Sequence, residues 1–223
     1  MKNNEQRVFK NNGKRFEEDF KASFSEHLWT YRTPDTGGGI MARFTQESLA
    51  DLIVYNTING DLSLVELKST LGTSVSFKPY ELCMQYEKEK KEFDEWNAKQ
   101  TADTRRPIKE EIKAHRKYLR GLYKETNQGM IKYHQIKGLK EVEDRYNGKI
   151  KSYIAFTFFK TNDTFLVPIN EFYNHWKTTK KKSININELN ELVKAGKANP
   201  VGQEYIRRTM RSKYDLSATL DKQ

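Results

Sequence analysis

The sequence predicts a single mixed α/β domain, and three patterns carry that reading. Phe16, Phe20 and Phe24 in GKRFEEDFKASF recur every four positions, which lines one face of an amphipathic helix. Two apolar runs, LADLIVY and LSLVELK, flank NTINGD, whose Asn59-Gly60 pair is among the strongest hairpin-turn signals. A second strand pair, SYIAFTFFK and TFLVPI, closes about NDT.

The remaining segments fall in order around these elements. YRTPDTGGG is marked as a loop by Pro34 and three glycines, and it lacks the Lys-Ser/Thr ending of a phosphate-binding P-loop, so no nucleotide cofactor is implied. Lys78 to Gln128 is dense in Lys, Glu and Arg and reads as an insertion. Pro79 and Pro107 suit the first turns of two long helices joined by NAKQTADTRR, which predicts a solvated helical hairpin. From Gly129 the globular pattern resumes: MIKYHQIKGLKEVEDRY as a helix, then the second strand pair, then NEFYNHWKT as a short helix. Lys180 to Gln223 is a basic, weakly periodic tail.

A chain of 223 residues can bury one sizeable core, with the insertion protruding from it. Forty Lys and Arg against 30 Asp and Glu leave a net charge of +10, which steers a protein toward a polyanion such as nucleic acid. The N-terminus has no signal-peptide core and no apolar run is long enough to span a bilayer, so the expectation is a soluble, cytoplasmic protein with no membrane partner. Cys83 is the one cysteine and excludes an intrachain disulfide, and the four histidines lack zinc-ligand spacing. A buried, idle thiol is expected.

Chemistry concentrates in LVELKST. Alternate side chains of a strand share a face, so Leu64, Glu66 and Lys68 point one way, with Ser63, Val65 and Leu67 opposite. Taken alone, Glu66 and Lys68 are also what a surface ion pair looks like. The Asn59-Gly60 hairpin, however, folds Asp51 back alongside Glu66, and two adjacent carboxylates repel unless a cation lies between them. Oxygen ligands with no nearby His or Cys select magnesium or manganese over zinc, and Lys68 can then orient the attacking water or stabilise phosphate charge. Glu17 or Glu18, beside the aromatic stripe, can reach the same cluster. Gln135 shares a helical stripe with Ile131, Leu139 and Val142, where an amide is either buried and hydrogen-bonded or aimed at the site. Ser69, Thr70, Thr73 and Ser74 follow the strand as candidate phosphate donors, with Arg32 of the YRTPDTGGG segment as a further DNA contact.

An Asp, a hairpin and then Glu-x-Lys, here ADLIVY and VELKST, is the signature of nucleases with the restriction-endonuclease-like fold. The wider order, GKRFEEDF, DTGGG, ADLIVY, ELKSTLGTSVSF, YHQIKGL, SYIAFTFFK, TFLVPINEFYNHW and KKKSININEL, resembles the RecU-type Holliday junction resolvases. The resemblance covers most of the chain outside the insertion and the last thirty or so residues. It implies a restriction-endonuclease-like core with a central mixed sheet flanked by helices. It also implies a magnesium-dependent endonuclease, with manganese as the alternative ion, cutting four-way DNA junctions in recombination or repair. Paired cuts imply a homodimer. Carried onto this chain, it makes Asp51, Glu66 and Glu17 the metal ligands, Lys68 a catalytic residue and Gln135 the helix glutamine, with the HxxQ-like motif altered to His134-Gln135. Gln85 is a competing glutamine. Two departures stand out. The region between Tyr31 and Ala50 is short for a junction-engaging stalk, and the insertion has no counterpart, so the basic insertion is expected to take over that role. The rival readings are a related nuclease acting on duplex or flap DNA, and a non-catalytic DNA-binding protein.

Overall fold

In the computed structural model, which describes residues 2–33, 48–100, 108–206, 208–209, 211–217 and 219–220, the central element is a six-stranded mixed sheet. Helix α1 (Lys2–Ala22) leads into β1 (Leu28–Arg32), β2 (Leu52–Asn56), β3 (Leu62–Thr70) and β4 (Ser74–Ser76). Helices α2 (Tyr80–Ala98), α3 (Lys109–Thr126) and α4 (Tyr133–Arg145) follow, then β5 (Ile150–Phe158), β6 (Asp163–Pro168) and α5 (Ile169–Thr179). The chain continues through β7 (Ser183–Asn185), α6 (Ile186–Lys194), β8 (Asn199–Pro200), β9 (Gly202–Ile206) and β10 (Arg211–Asp215). The sheet order is β1-β2-β3-β5-β6-β8, in which β3 and β5 run parallel and every other neighbouring pair is antiparallel.

The β2–β3 hairpin forms where Asn59-Gly60 predicts it. Gly60 takes φ 77°, a left-handed conformation that costs a glycine little, and its N–H donates to the Asn56 carbonyl at 2.9 Å. The parallel β3–β5 pair cannot be closed by a tight turn and requires a crossover. The crossover contains β4, the α2–α3 hairpin and α4, so the charged insertion is a side branch of a connection that the sheet demands.

Both faces of the sheet are covered, which is why β3 is buried on alternate residues of both kinds. On one face Leu64, Ile154, Phe156 and Val167 pack with Ile136 and Leu139 of α4 and Phe172 and Trp176 of α5. On the other, Val65, Leu67, Ala155 and Leu166 pack under Phe16 and Phe20 of α1 and Tyr214 of β10. The aromatic stripe of α1 behaves as its spacing predicts: Phe20 has ring contacts with Phe16, Phe24 and Tyr214. Among the described residues no helix is long and apolar enough to cross a membrane.

The insertion is the expected pair of long helices, with Pro79 as the N-cap of α2; Pro107 lies outside the described residues. It is more than a solvated surface. Phe93, Ile112 and Leu119 make a small core of their own, while Tyr86 and Leu122 at its base join the main core. The Trp176 indole donates to the Lys78 carbonyl at 2.7 Å and ties that base to α5. Cys83 is buried, and burial pushes its thiol up to about 12, as an idle thiol requires.

Two parts of the fold differ from the sequence reading. Strand β1 has no counterpart in the sequence reading; its burial alternates, but Trp29 and Tyr31 lie on the exposed face, so LWTYR shows no apolar alternation. The tail is not merely basic: β7 pairs with β4, and β9–β10 closes over α1. Its elements are too short for a periodic signal. Because Phe20 is fully buried at the junction of α1, the sheet and β10, Phe20→Ala should destabilise the fold by about 3–5 kcal/mol. A denaturant midpoint unchanged from wild type would show that α1 is not docked there.

Candidate active site

The β2–β3 register, Ile53 opposite Leu64 and Leu52 opposite Val65, sets Asp51 beside Glu66 at the end of the pair. The Asp51 N–H donates to the Val65 carbonyl at 3.1 Å. Its carboxylate Oδ2 accepts the Leu67 N–H at 2.7 Å, which pins the side chain against β3. The hairpin thus delivers the second acid as expected.

Glu66 is the unusual residue of the sheet, a carboxylate only 1% exposed on the face packed by α4. Its Oε1 accepts from Lys68 Nζ and from Gln135 Nε2. Its Oε2 is buried with no hydrogen-bond partner among the described residues. Burial raises the carboxyl from the usual 4.5 to about 7; the Lys68 charge opposes the rise, the Asp51 charge adds to it, and hydrogen bonds from Lys68 and Gln135 also oppose it. Lys68 itself is half-buried and faces the same side, so the Glu66–Lys68 contact is not a surface pair.

Gln135 explains its own place on an apolar stripe. Ile131 and Leu139 beside it are fully buried. Its Oε1 accepts the Lys132 N–H at 3.2 Å, capping the start of α4, while its Nε2 reaches Glu66. Of the two readings left open by the sequence, buried hydrogen bonding holds, and the partner is Glu66. Gln85 is exposed and donates to Glu89 at 2.8 Å, away from Glu66. His134 contacts Asn127 through Nδ1 at 2.8 Å.

The acids of α1 divide between two surroundings. Glu17 accepts from Arg32 Nε at 3.0 Å and Nη2 at 2.8 Å, and Arg32 stands opposite Leu52, next to Asp51 in sequence. Glu18 instead pairs with Arg211 at 3.0 Å. Asp19, which the sequence did not single out, is buried and holds Arg211 and the Ser212 N–H. Arg32 therefore has an acidic partner at the position considered for a DNA contact. Among the described residues no group of three His, Cys, Asp or Glu forms, so Glu17 does not join Asp51 and Glu66 in such a cluster.

Ser69 and Thr70 end β3 half-buried, and Thr70 Oγ1 accepts the Gly72 N–H at 2.9 Å. Thr73 and Ser74 are exposed, with their backbones tied to Ile186 and Asn185. Pro34 and glycines 37–39, and with them most of the segment read as a shortened stalk, lie outside the described residues.

Two carboxylates fit a magnesium ion better than a dedicated protein cage does, since magnesium keeps several waters and takes one or two carboxylates plus substrate phosphate oxygens. The unpartnered Oε2 of Glu66, its raised proton affinity and the adjacent Asp51 are what a cation at this place would relieve. No protein-family model matches the chain and no curated protein matches it, so the chemistry is read from the residues themselves.

The folded chain holds the Glu66 proton more tightly than the unfolded chain does. Its contribution to stability is whole below pH 4.5 and is lost as the pH rises through about 7. In metal-free protein, wild type should lose on the order of 3 kcal/mol relative to Glu66→Gln across that window. Denaturant unfolding of both proteins across that pH range reads the difference, and parallel pH profiles would contradict the buried, strained carboxylate.

Proposed function

We propose that the chain is a magnesium-dependent DNA endonuclease with a restriction-endonuclease-like core, of the RecU Holliday junction resolvase type, acting on branched DNA in recombination or repair. One observation carries the reading. A buried Glu66 has one oxygen gripped by Lys68 and Gln135 and the other without a partner among the described residues, beside an Asp51 pinned to the same strand. A structural ion pair accounts for Oε1 but not for the orphaned Oε2 or for a second acid beside it.

In this reading Asp51 and Glu66 would hold magnesium, or manganese in its place. The bound ion would supply Lewis-acid polarisation of the phosphate and a lower pKa for the attacking water. The protein's own groups do the positioning. The Leu67 N–H fixes one oxygen of Asp51, Gln135 fixes the rotamer of Glu66 from the start of α4, and neither acid spends conformational entropy when substrate arrives. Lys68 is half-buried and can turn its ammonium toward a phosphate oxygen, placing positive charge where negative charge grows as the P–O bond breaks. Glu17 and Arg32 stand at the adjacent strand end, where Arg32 can exchange its carboxylate for a phosphate. Two symmetrical nicks in one junction call for a homodimer.

Asp51→Asn and Glu66→Gln should each lower magnesium-dependent nicking of a four-way junction by roughly a hundredfold or more while leaving junction affinity within about threefold, because no basic contact is removed. Lys68→Ala should lower nicking strongly even at saturating magnesium. The assay compares a four-way junction with a linear duplex of the same sequence, with and without magnesium. Equal cutting of both substrates favours a duplex or flap nuclease of the same superfamily, and binding without nicking favours a DNA-binding protein that performs no chemistry.

A further inference from the structure

The two helices of the arm carry opposite charge. Helix α2 has six Asp and Glu against three Lys, whereas α3 has six Lys and Arg against three Glu. The three lysines of α2 are all paired within the helix: Lys88 with Glu92 at 3.9 Å, Lys90 with Asp94 at 2.7 Å and Lys91 with Glu95 at 3.8 Å. On α3, Lys113 pairs with Glu110 at 2.7 Å. Beyond it, Arg116, Lys117, Arg120 and Lys124 are all exposed, and no described carboxylate comes within ion-pair distance of them.

Their spacing puts these four cations on one stripe. At about 100° per residue they fall within an arc of about 100°, and at about 1.5 Å per residue they span about 12 Å of the helix. Successive phosphates of one DNA strand advance about 3.4 Å along the duplex axis, so the stripe matches three to four of them. Arg116 and Arg120 also border a groove of about 360 Å³ between the two helices. The stripe starts at the arm's base: Leu122, two residues from Lys124, packs in the same core as Leu64 and Ile136. Helix α4, which carries Gln135 to Glu66, begins just after α3 ends.

We propose that Arg116, Lys117, Arg120 and Lys124 form a backbone-contacting surface for duplex DNA flanking the Glu66 site. The partner is a polyanion rather than the acidic helix of a second copy, because four of the six α2 acids already hold a lysine, Glu92, Asp94 and Glu95 within the helix and Glu87 that of Lys137, while Glu89 accepts from Gln85. The sequence expectation of a basic arm is thereby narrowed to one face of one helix. The proposal deepens the nuclease reading and rests on it for the identity of the polyanion.

The test is the salt dependence of junction and duplex binding, measured in EDTA so that no cutting occurs. Replacing all four residues by Gln keeps good helix formers in place, and circular dichroism with sedimentation checks fold and assembly. Each lost phosphate contact removes about 0.9 from the slope of log affinity against log salt. The variant's slope should therefore fall by about 3 to 4, and its affinity by at least tenfold at low salt, whereas Lys88→Gln with Lys91→Gln on α2 should leave both near wild type. A slope changed by less than one, an equal loss in the α2 variant, or a wild-type protein that binds no DNA overturns the proposal. So does a variant that loses a dimer while its slope stays unchanged, which would assign the stripe to self-association. Nicking by the wild type with and without magnesium reads the Glu66 site separately, so its absence sinks the nuclease reading while the binding slopes still decide the role of α3.

Discussion

Glu66 is held at the centre of the molecule by a constraint that the surrounding elements satisfy together. A carboxylate buried in a sheet is costly unless its oxygens are matched. Lys68, two residues along β3, and Gln135, from the first turn of α4, match Oε1. The parallel pairing of β3 with β5 makes a crossover necessary, and α4 is the crossover helix that brings Gln135 onto the face of Glu66. The hairpin about Gly60 brings Asp51. Topology, turn chemistry and helix capping thus converge on one side chain whose second oxygen has no partner among the described residues.

That same crossover carries the charged helical arm as a side branch. The arm leaves after β4 and returns before α4, so neither sheet pairing nor the α4 contact with Glu66 is interrupted. Its base is welded to the core through Tyr86, Leu122 and the Trp176–Lys78 hydrogen bond, and its outer part has the separate Phe93, Ile112 and Leu119 cluster. A side branch built this way has fixed orientation at its root and independent packing farther out, a suitable support for a charged surface close to the site.

How much of this was legible in the sequence depends on the range of the interaction. Local signals read well: the four-residue aromatic spacing found α1, Asn59-Gly60 found the β2–β3 turn, and Gln135 on an apolar stripe signalled a special helix position. The hairpin sufficed to bring Asp51 to Glu66, because register follows from a turn. Glu17 was harder. Its expected place beside the two acids competed with an Arg32 carboxylate pair, which depends on how α1 meets β1, an edge strand with little apolar alternation. The tail was least legible, since β9–β10 is held in place by Tyr214 and by Leu216 just after the strand closing over α1, a long-range contact that no local pattern announces. The charge asymmetry between α2 and α3 was written in the composition, but it became meaningful only when the ion pairs showed which charges were already neutralised.

The central claim is that the orphaned oxygen of Glu66 and the carboxylate of Asp51 hold a divalent cation. Anomalous diffraction from crystals soaked in manganese tests it most directly, with the same soak applied to Glu66→Gln crystals as the control. The account predicts an anomalous peak within coordination distance, about 2.0–2.2 Å, of oxygens from both Asp51 and Glu66, absent in the variant. Fully occupied manganese elsewhere, with Glu66 Oε2 still buried and without a ligand, would contradict it.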